Sequence, residues 1–228
     1  MQTQFRIICA TRASAAEFRE NSALGRSLEL YPFPFIDVAL CPENTLGLPL
    51  IYNAAVRRFA DDSSVFVFVH DDVHLLDFFW PDRLLQGLER FGVVGVAGNV
   101  RRTPKQPSWV HVDERFTPDD ACHLSGAVAH GAGWPPDRVD YFVTVGREVK
   151  LLDGALLAVR RSTLLAHDLW FDERFDFHFY DLDFCRQAER AGVPLGTVPM
   201  PIVHQSAGNY GGASWRDAYA RYLEKWGS

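Results

Sequence analysis

Val65 to Val69 reads Val-Phe-Val-Phe-Val, apolar at every position, and runs without a spacer into His70-Asp71-Asp72-Val73. A strand with one wet face alternates polar and apolar residues. One that does not alternate must be covered on both faces, as central strands of α/β sheets are. Ligands of open α/β sheets bind outside the carboxyl ends of the strands, so the His-Asp-Asp run stands where chemistry is expected. Two adjacent carboxylates leaving a buried strand repel each other and lose hydration, a cost that a cation or a donor-rich ligand offsets. Hard oxygen ligands point to Mg²⁺ or Mn²⁺. The alternative is that one Asp caps the following turn while the other is solvated. His70 and His74 flank the pair, His70 placed to orient a carboxylate and His74 facing solvent.

The rest of the chain repeats the alternation of strand and helix. Phe5 to Ala10 and Ile36 to Leu40 are short apolar runs that end in polar turns, Thr11-Arg12 and Cys41-Pro42-Glu43-Asn44. From Pro49 to Phe59, Ile51, Ala55 and Phe59 recur every fourth residue, which predicts an amphipathic helix with proline in its first turn, broken by Asp61-Asp62-Ser63-Ser64. A helix over Pro81 to Phe91, a strand over Val93 to Ala97, a strand over Leu151 to Arg160 and a short helix over Ser162 to His167 follow. Tyr180 to Ala191 reads as a helix closed by Gly192. Thr197 to Val203 is strand-like, Ser206 to Ser214 is a Gly/Ser-rich loop, and Trp215 to Trp226 is the last helix. Arg101 to Asp140, rich in Pro, Gly, Trp and His, is an irregular excursion with local strand pieces. This order implies a single α/β domain over 1–228, a Rossmann-type three-layer sandwich with a mostly parallel central sheet.

Composition narrows the partners. A net charge of -6 disfavours nucleic acid and anionic membranes, which need concentrated positive potential. The four cysteines are scattered with no C-x-x-C pair, as in a reduced compartment. Met1 to Ala10 lacks the pattern of a signal peptide, and no run approaches the ~18 apolar residues of a membrane span. The expectation is a soluble, cytoplasmic protein; whether it forms a homodimer is left open.

Two further places carry chemistry. His204 follows the apolar run Val198 to Val203 and opens the Gly-rich loop, so with Asp72 it can complete a metal site that leaves room for phosphate oxygens. Asp181 and Asp183 begin a helix inside an unusually aromatic stretch, Phe175 to Asp183. Each either caps the helix through the exposed N–H groups or serves as a general base in a partly apolar pocket. Trp109 and Trp134, expected on exposed loops, are loop anchors or stacking surfaces for a substrate. Phe78, Phe79 and Trp80 read as core or loop anchors.

Taken in order, the Asn44 to Asn53 helix entry, VFVFVHDDV, LLDGALLAVRR, FHFYDLDFCRQAERAG and IVHQSAG resemble the family 2 nucleotide-diphospho-sugar glycosyltransferases of GT-A fold, and most of all the compact branch of streptomycin-type biosynthesis. The resemblance spans nearly the whole chain except Arg101 to Asp140. It implies that 1–100 is a nucleotide-binding half and 101–228 an acceptor-binding half. The family's Asp-x-Asp metal motif falls on His70-Asp71-Asp72, giving Asp72 the metal, Asp71 the ribose or sugar, and His70 the position of the first acid. His204 corresponds to the late histidine that completes coordination of Mn²⁺ or Mg²⁺. Asp181 holds the position of the base, with Tyr180 where a Glu is usual and Asp183 two residues on. Thr11, Glu43 and Asn53 match the nucleoside-facing region.

The implied reaction moves a sugar from a nucleotide-diphosphate donor to a hydroxyl of a glycan or small-molecule acceptor, with inversion. A non-catalytic sugar- or nucleotide-binding relative and a metal-dependent hydrolase of nucleotide sugars remain as alternatives. A sugar nucleotidyltransferase would need a Gly-rich, Lys-bearing phosphate loop, and Cys9-Ala10-Thr11-Arg12 has neither Gly nor Lys.

Overall fold

Apolar runs become strands where the sequence places them. The computed structural model describes residues 3–59, 63–142, 144–206 and 208–227; Asp61 and Asp62 of the break after Phe59, and Ala207 of the Gly/Ser-rich loop, lie outside the described residues. In chain order β1 (Phe5–Ala10) leads to α1 (Ala15–Asn21), α2 (Ala23–Glu29), β2 (Ile36–Cys41), α3 (Leu48–Arg58), β3 (Val65–Val69), β4 (Val73–Leu75), α4 (Trp80–Leu88), β5 (Val93–Gly95) and β6 (Ala97–Asn99). Then come β7 (Leu124–His130), β8 (Arg138–Phe142), β9 (Glu148–Val149), β10 (Leu151–Leu152), β11 (Leu156–Arg160), α5 (Arg161–Ala166), α6 (Tyr180–Arg190), β12 (Leu195–Thr197), β13 (Ile202–His204) and α7 (Ala213–Trp226).

The main sheet has the order β2-β1-β3-β11-β5-β12-β9. β2, β1, β3, β5 and β12 run one way, β11 and β9 against them. β3 is buried along its whole length, as its unbroken apolarity requires. Register decides what covers it. Phe5 pairs with Val65 and Ile8 with Phe68, so Phe5 and Phe68 point to opposite faces. Tyr52 of α3 packs on Phe68 and Trp80 of α4 packs on Phe5, which puts these helices on opposite sides and makes three layers. Trp80 belongs to the core, whereas Phe78 and Phe79 are exposed.

A second, mixed sheet, β10-β6-β7-β13-β4 with β8 on β7, is not disclosed by the sequence pattern. Two apparent single strands divide between the sheets. Val93 to Ala97 splits at Val96 into β5 and β6, and Leu151 to Arg160 splits at Asp153-Gly154 into β10 and β11. The second crossing matters most for the site, because β11 runs against β3. Its starting end, Asp153-Gly154-Ala155, therefore meets the finishing end of β3, and His70 N–H donates to the Ala155 carbonyl at 3.1 Å.

α1 and α2 are seven-residue helices, too short for a periodic signal, although Ser14 and Glu17 form a capping box. Gly192 adopts φ 72° just after Ala191, the C-cap of α6, the closing position expected of it. Arg101 to Asp140 carries the strand pieces expected of it. It contains β7, and Trp109 is buried rather than exposed, its indole Nε1 donating to Asp153 Oδ2 at 2.8 Å. Trp134 is exposed. No helix among the described residues is long and apolar enough to cross a membrane.

Candidate functional site

The ends of β1, β3 and β13, the start of β11 and the first turn of α6 converge. Thr11, the first residue after β1, is buried, and its Oγ1 donates to Asp71 Oδ2 at 2.5 Å, tying the His-Asp-Asp turn to the neighbouring strand end. The loop after β2 joins the same corner through Asn44 N–H to the Thr11 carbonyl, 2.8 Å, and Glu43 N–H to the Ala13 carbonyl, 2.9 Å. Glu43 takes φ 49° in that turn and its side chain is exposed.

His70 Nδ1, Asp72 Oδ1 and His204 Nε2 form a cluster whose ligand atoms all lie within 4.8 Å of one another. Pairing of β13 with β4 brings His204 opposite Val73, beside the turn that carries Asp72. His204 Nε2 is 3.3 Å and His70 Nδ1 4.0 Å from Asp72 Oδ1. Neither is aligned as a hydrogen-bond donor, so among the described residues Oδ1 is a buried carboxylate oxygen without a hydrogen-bond partner. Burial works against the Asp72 charge, yet His204 and His70 hold its carboxyl down at about 2. Burial pushes the His70 imidazole below its ordinary value. Burial also opposes a charge on His204, but Asp72 and Asp153 hold it above the usual imidazole range. An orphaned anionic oxygen between two imidazole nitrogens fits a divalent cation, and these three residues are the ones that can hold it.

Asp181 sits in the first turn of α6, where Phe179 takes a left-handed φ of 66° and supplies no side-chain cap. Asp181 Oδ2 accepts from Gly154 N–H at 3.1 Å. Burial, and next the Asp153 carboxylate, push its pKa up to about 7 against the backbone N–H groups that pull it down. Only glycine fits at 154, because a Cβ there would lie 2.6 Å from Tyr180 Oη and 2.9 Å from Asp181 Cβ.

Asp183 and Asn53 are not brought into the site. Asp183 is fully buried and meets Lys225 Nζ at 2.6 Å, Trp226 Nε1 at 2.7 Å and Gln187 Nε2 at 2.7 Å, so its oxygens are used in joining α6 to α7. Two residues along a helix is about 200° of rotation, which turns Asp183 away from the face that carries Asp181. Asn53 exchanges hydrogen bonds with the backbone of Phe171, and its second amide hydrogen goes to Glu173 Oε1. It clamps a loop, and no amide hydrogen remains for a nucleoside.

Sequence reasoning missed Asp153, Gly154 and the part played by Tyr180. The signal for Asp153 was present: it is the one charged residue inside Leu151 to Val159, and a charge in a buried run is rare unless partnered.

Residues 48–208 match the glycosyltransferase-like family model. The chain belongs to that family. The matched glycosyltransferase-like segment contains every residue of the cation cluster and Asp181, but neither Thr11, Glu43 nor α7. No curated protein matches the sequence. Among solved structures, GalNAc-T7 with UDP, GalNAc and Mn²⁺ is similar at TM-score 0.57 and 9% identity, over 98% of this chain and 48% of that one. Residues 1–349 of S. aureus TarS are similar at TM-score 0.52 and 12% identity, over 89% and 60%. The catalytic domain of Drosophila beta1,4-galactosyltransferase 7, in complex with xylobiose, is similar at TM-score 0.52 and 11% identity, over 96% and 80%. This chain thus spans about half of the GalNAc-T7 chain and 60% of the TarS chain. Likeness at such identities establishes the fold, the mixed α/β architecture of GT-A glycosyltransferases.

Proposed function

We propose that this domain transfers a sugar from a nucleoside-diphosphate donor to an acceptor hydroxyl, with Asp181 taking the hydroxyl proton in a single displacement that inverts the anomeric centre. The observation that carries this reading is a buried carboxyl with its pKa at about 7, next in the chain to Tyr180, whose hydroxyl touches His70 of the cation cluster. Such a group is half ionised near neutrality and accepts a proton as the oxygen attacks, an effect worth about 10²–10⁴-fold in rate. Family membership supports the reaction class, and the UDP, GalNAc and Mn²⁺ bound by GalNAc-T7 support the donor and ion classes.

A divalent cation held by His70, Asp72 and His204 would neutralise charge on the departing diphosphate. Two imidazoles beside one carboxylate favour Mn²⁺ over Mg²⁺, which prefers an all-oxygen shell. Thr11, Asp71 and Glu43, joined at the ends of β1, β3 and β2, form the nucleoside side of the cleft. The acceptor side is assigned to the second half of the chain, where Trp134 and Tyr141 stand exposed on and beside β8.

Calorimetric titration with UDP and GDP, with and without Mn²⁺, tests the cation reading. Asp72→Ala should lose the Mn²⁺-dependent gain in affinity, and equal affinity with and without Mn²⁺ in the native protein removes that reading. Incubation with a panel of nucleotide sugars, with and without acceptors, tests the reaction class. Acceptor-dependent release of nucleoside diphosphate supports transfer, release without acceptor is hydrolysis, and no release marks a binding protein.

A further inference from the structure

We propose that Tyr180 is a positioning residue that fixes His70 in one tautomer and so aims the Nδ1 lone pair at the space beside Asp72 Oδ1. The inference rests on the cation reading above and deepens it. Tyr180 Oη lies 2.7 Å from the Gly154 carbonyl and 2.8 Å from His70 Nε2. A carbonyl oxygen only accepts, so the single phenolic hydrogen is committed to Gly154. The imidazole must then be the donor to Tyr180, which places its proton on Nε2 and leaves Nδ1 bare. Nδ1 is the nitrogen 4.0 Å from the orphaned Asp72 Oδ1. The opposite tautomer would set two lone pairs against each other at 2.8 Å.

Ring packing supports the relay. Tyr180 is buried with Tyr52 packed edge-on at 5.9 Å, and the missing side chain at Gly154 is what lets Tyr180 Oη approach the chain there, since a Cβ would lie 2.6 Å from it. Phe177 stacks on the His70 ring at 5.6 Å with 28° between the planes, which restrains the imidazole plane. A histidine that ligates a metal through one nitrogen and donates from the other is oriented by its acceptor, and losing that acceptor costs about 10–100-fold in metal affinity.

Two measurements test this. Long-range ¹H–¹⁵N correlation on metal-free, ¹⁵N-histidine-labelled protein reads the tautomer of His70, assigned by difference against His70→Gln. The expected form carries hydrogen on Nε2, and Tyr180→Phe, which removes one oxygen, should leave a mixture. Calorimetry should show Mn²⁺ binding to Tyr180→Phe weakened about 10–100-fold, with the thermal unfolding transition retained. Hydrogen on Nδ1 in the native protein, or unchanged Mn²⁺ affinity in Tyr180→Phe, overturns the proposal. If Tyr180→Phe does not fold, the tautomer of the native protein decides. A native protein that binds no Mn²⁺ overturns the cation reading whatever the tautomer, whereas hydrogen on Nδ1 in a protein that does bind Mn²⁺ overturns the role of Tyr180 alone.

Discussion

The two faces of α6 handle a buried carboxylate in opposite ways. On the back face, burial pushes the Asp183 carboxyl up while Lys225, Trp226 and Gln187 hold against it, and each oxygen has a donor. On the front face, Asp181 has the Gly154 N–H, a second carboxylate in Asp153, and no cation paired with it among the described residues. Both residues begin the same helix in the same aromatic stretch, so the sequence offers them as equals. A buried acid that meets a lysine is a structural rivet. One that meets another acid is left able to change its protonation near neutral pH, which is what a general base requires.

The largest expected effect separates the two at the level of turnover. Asp181→Asn should keep nucleoside-diphosphate binding and lose transfer by roughly 10³-fold or more, read by initial rates of donor consumption. Unchanged turnover would end its assignment as base. The same substitution should alter stability in the direction opposite to that of a structural residue. Because the folded pKa of about 7 lies above the unfolded value near ~4, the stability Asp181 contributes is complete below ~4 and declines as pH rises through about 7. Asp181→Asn removes that decline. At pH above ~8 the variant should resist urea better than the native chain, by at most about 4 kcal/mol.

Breaking the back face should do the reverse. Lys225 also meets Asp172 at 2.7 Å, but Asp172 keeps Arg174, so Lys225→Met strips the cation from the fully buried Asp183. Removing one partner of a buried pair costs about 3–5 kcal/mol, and urea unfolding should show a loss of that order that shrinks in acid as Asp183 takes up a proton. The folded fraction should keep the pH dependence of transfer set by Asp181. A changed pH profile with unchanged stability would mean that the two faces have been assigned the wrong way round.

Much of this arrangement was legible in the sequence. Strand ends are marked by polar residues that stop apolar runs, so Thr11, the His70-Asp71-Asp72 turn and His204 could be found by position alone. What could not be read was direction and face. A strand that is apolar throughout does not reveal that it changes sheets, and Leu151 to Arg160 hides a crossing at Asp153-Gly154 that delivers a carboxylate to the site. Helical phase separates Asp181 from Asp183, but which phase faces the ligand depends on how α6 docks on its neighbours. The engagement of Asn53 was hidden for the same reason: its partners, Phe171 and Glu173, lie far along the chain, and no local pattern announces them.

The smallest expected effect tests why the front face behaves as it does. Asp153 is a half-buried acid whose Oδ1 accepts from Ala155 N–H and whose Oδ2 accepts from the Trp109 indole, each at 2.8 Å, so it is held as an acceptor beside Asp181. Its charge disfavours ionisation of Asp181, second only to burial. Below the Asp181 pKa the rate of transfer should fall about tenfold per pH unit, because only the ionised form accepts a proton. Asp153→Asn removes the charge and keeps the side-chain volume, so the midpoint of that acid limb should move to lower pH. The substitution also places an amide N–H against a donor, at Trp109 or Ala155, and some stability is lost with it. The readout is chosen accordingly: the midpoint of the limb does not depend on how much protein is folded, whereas the plateau does. A lower plateau with an unmoved midpoint would mean that burial alone raises Asp181, and that Asp153 serves only to hold Trp109 and the excursion it belongs to against the site.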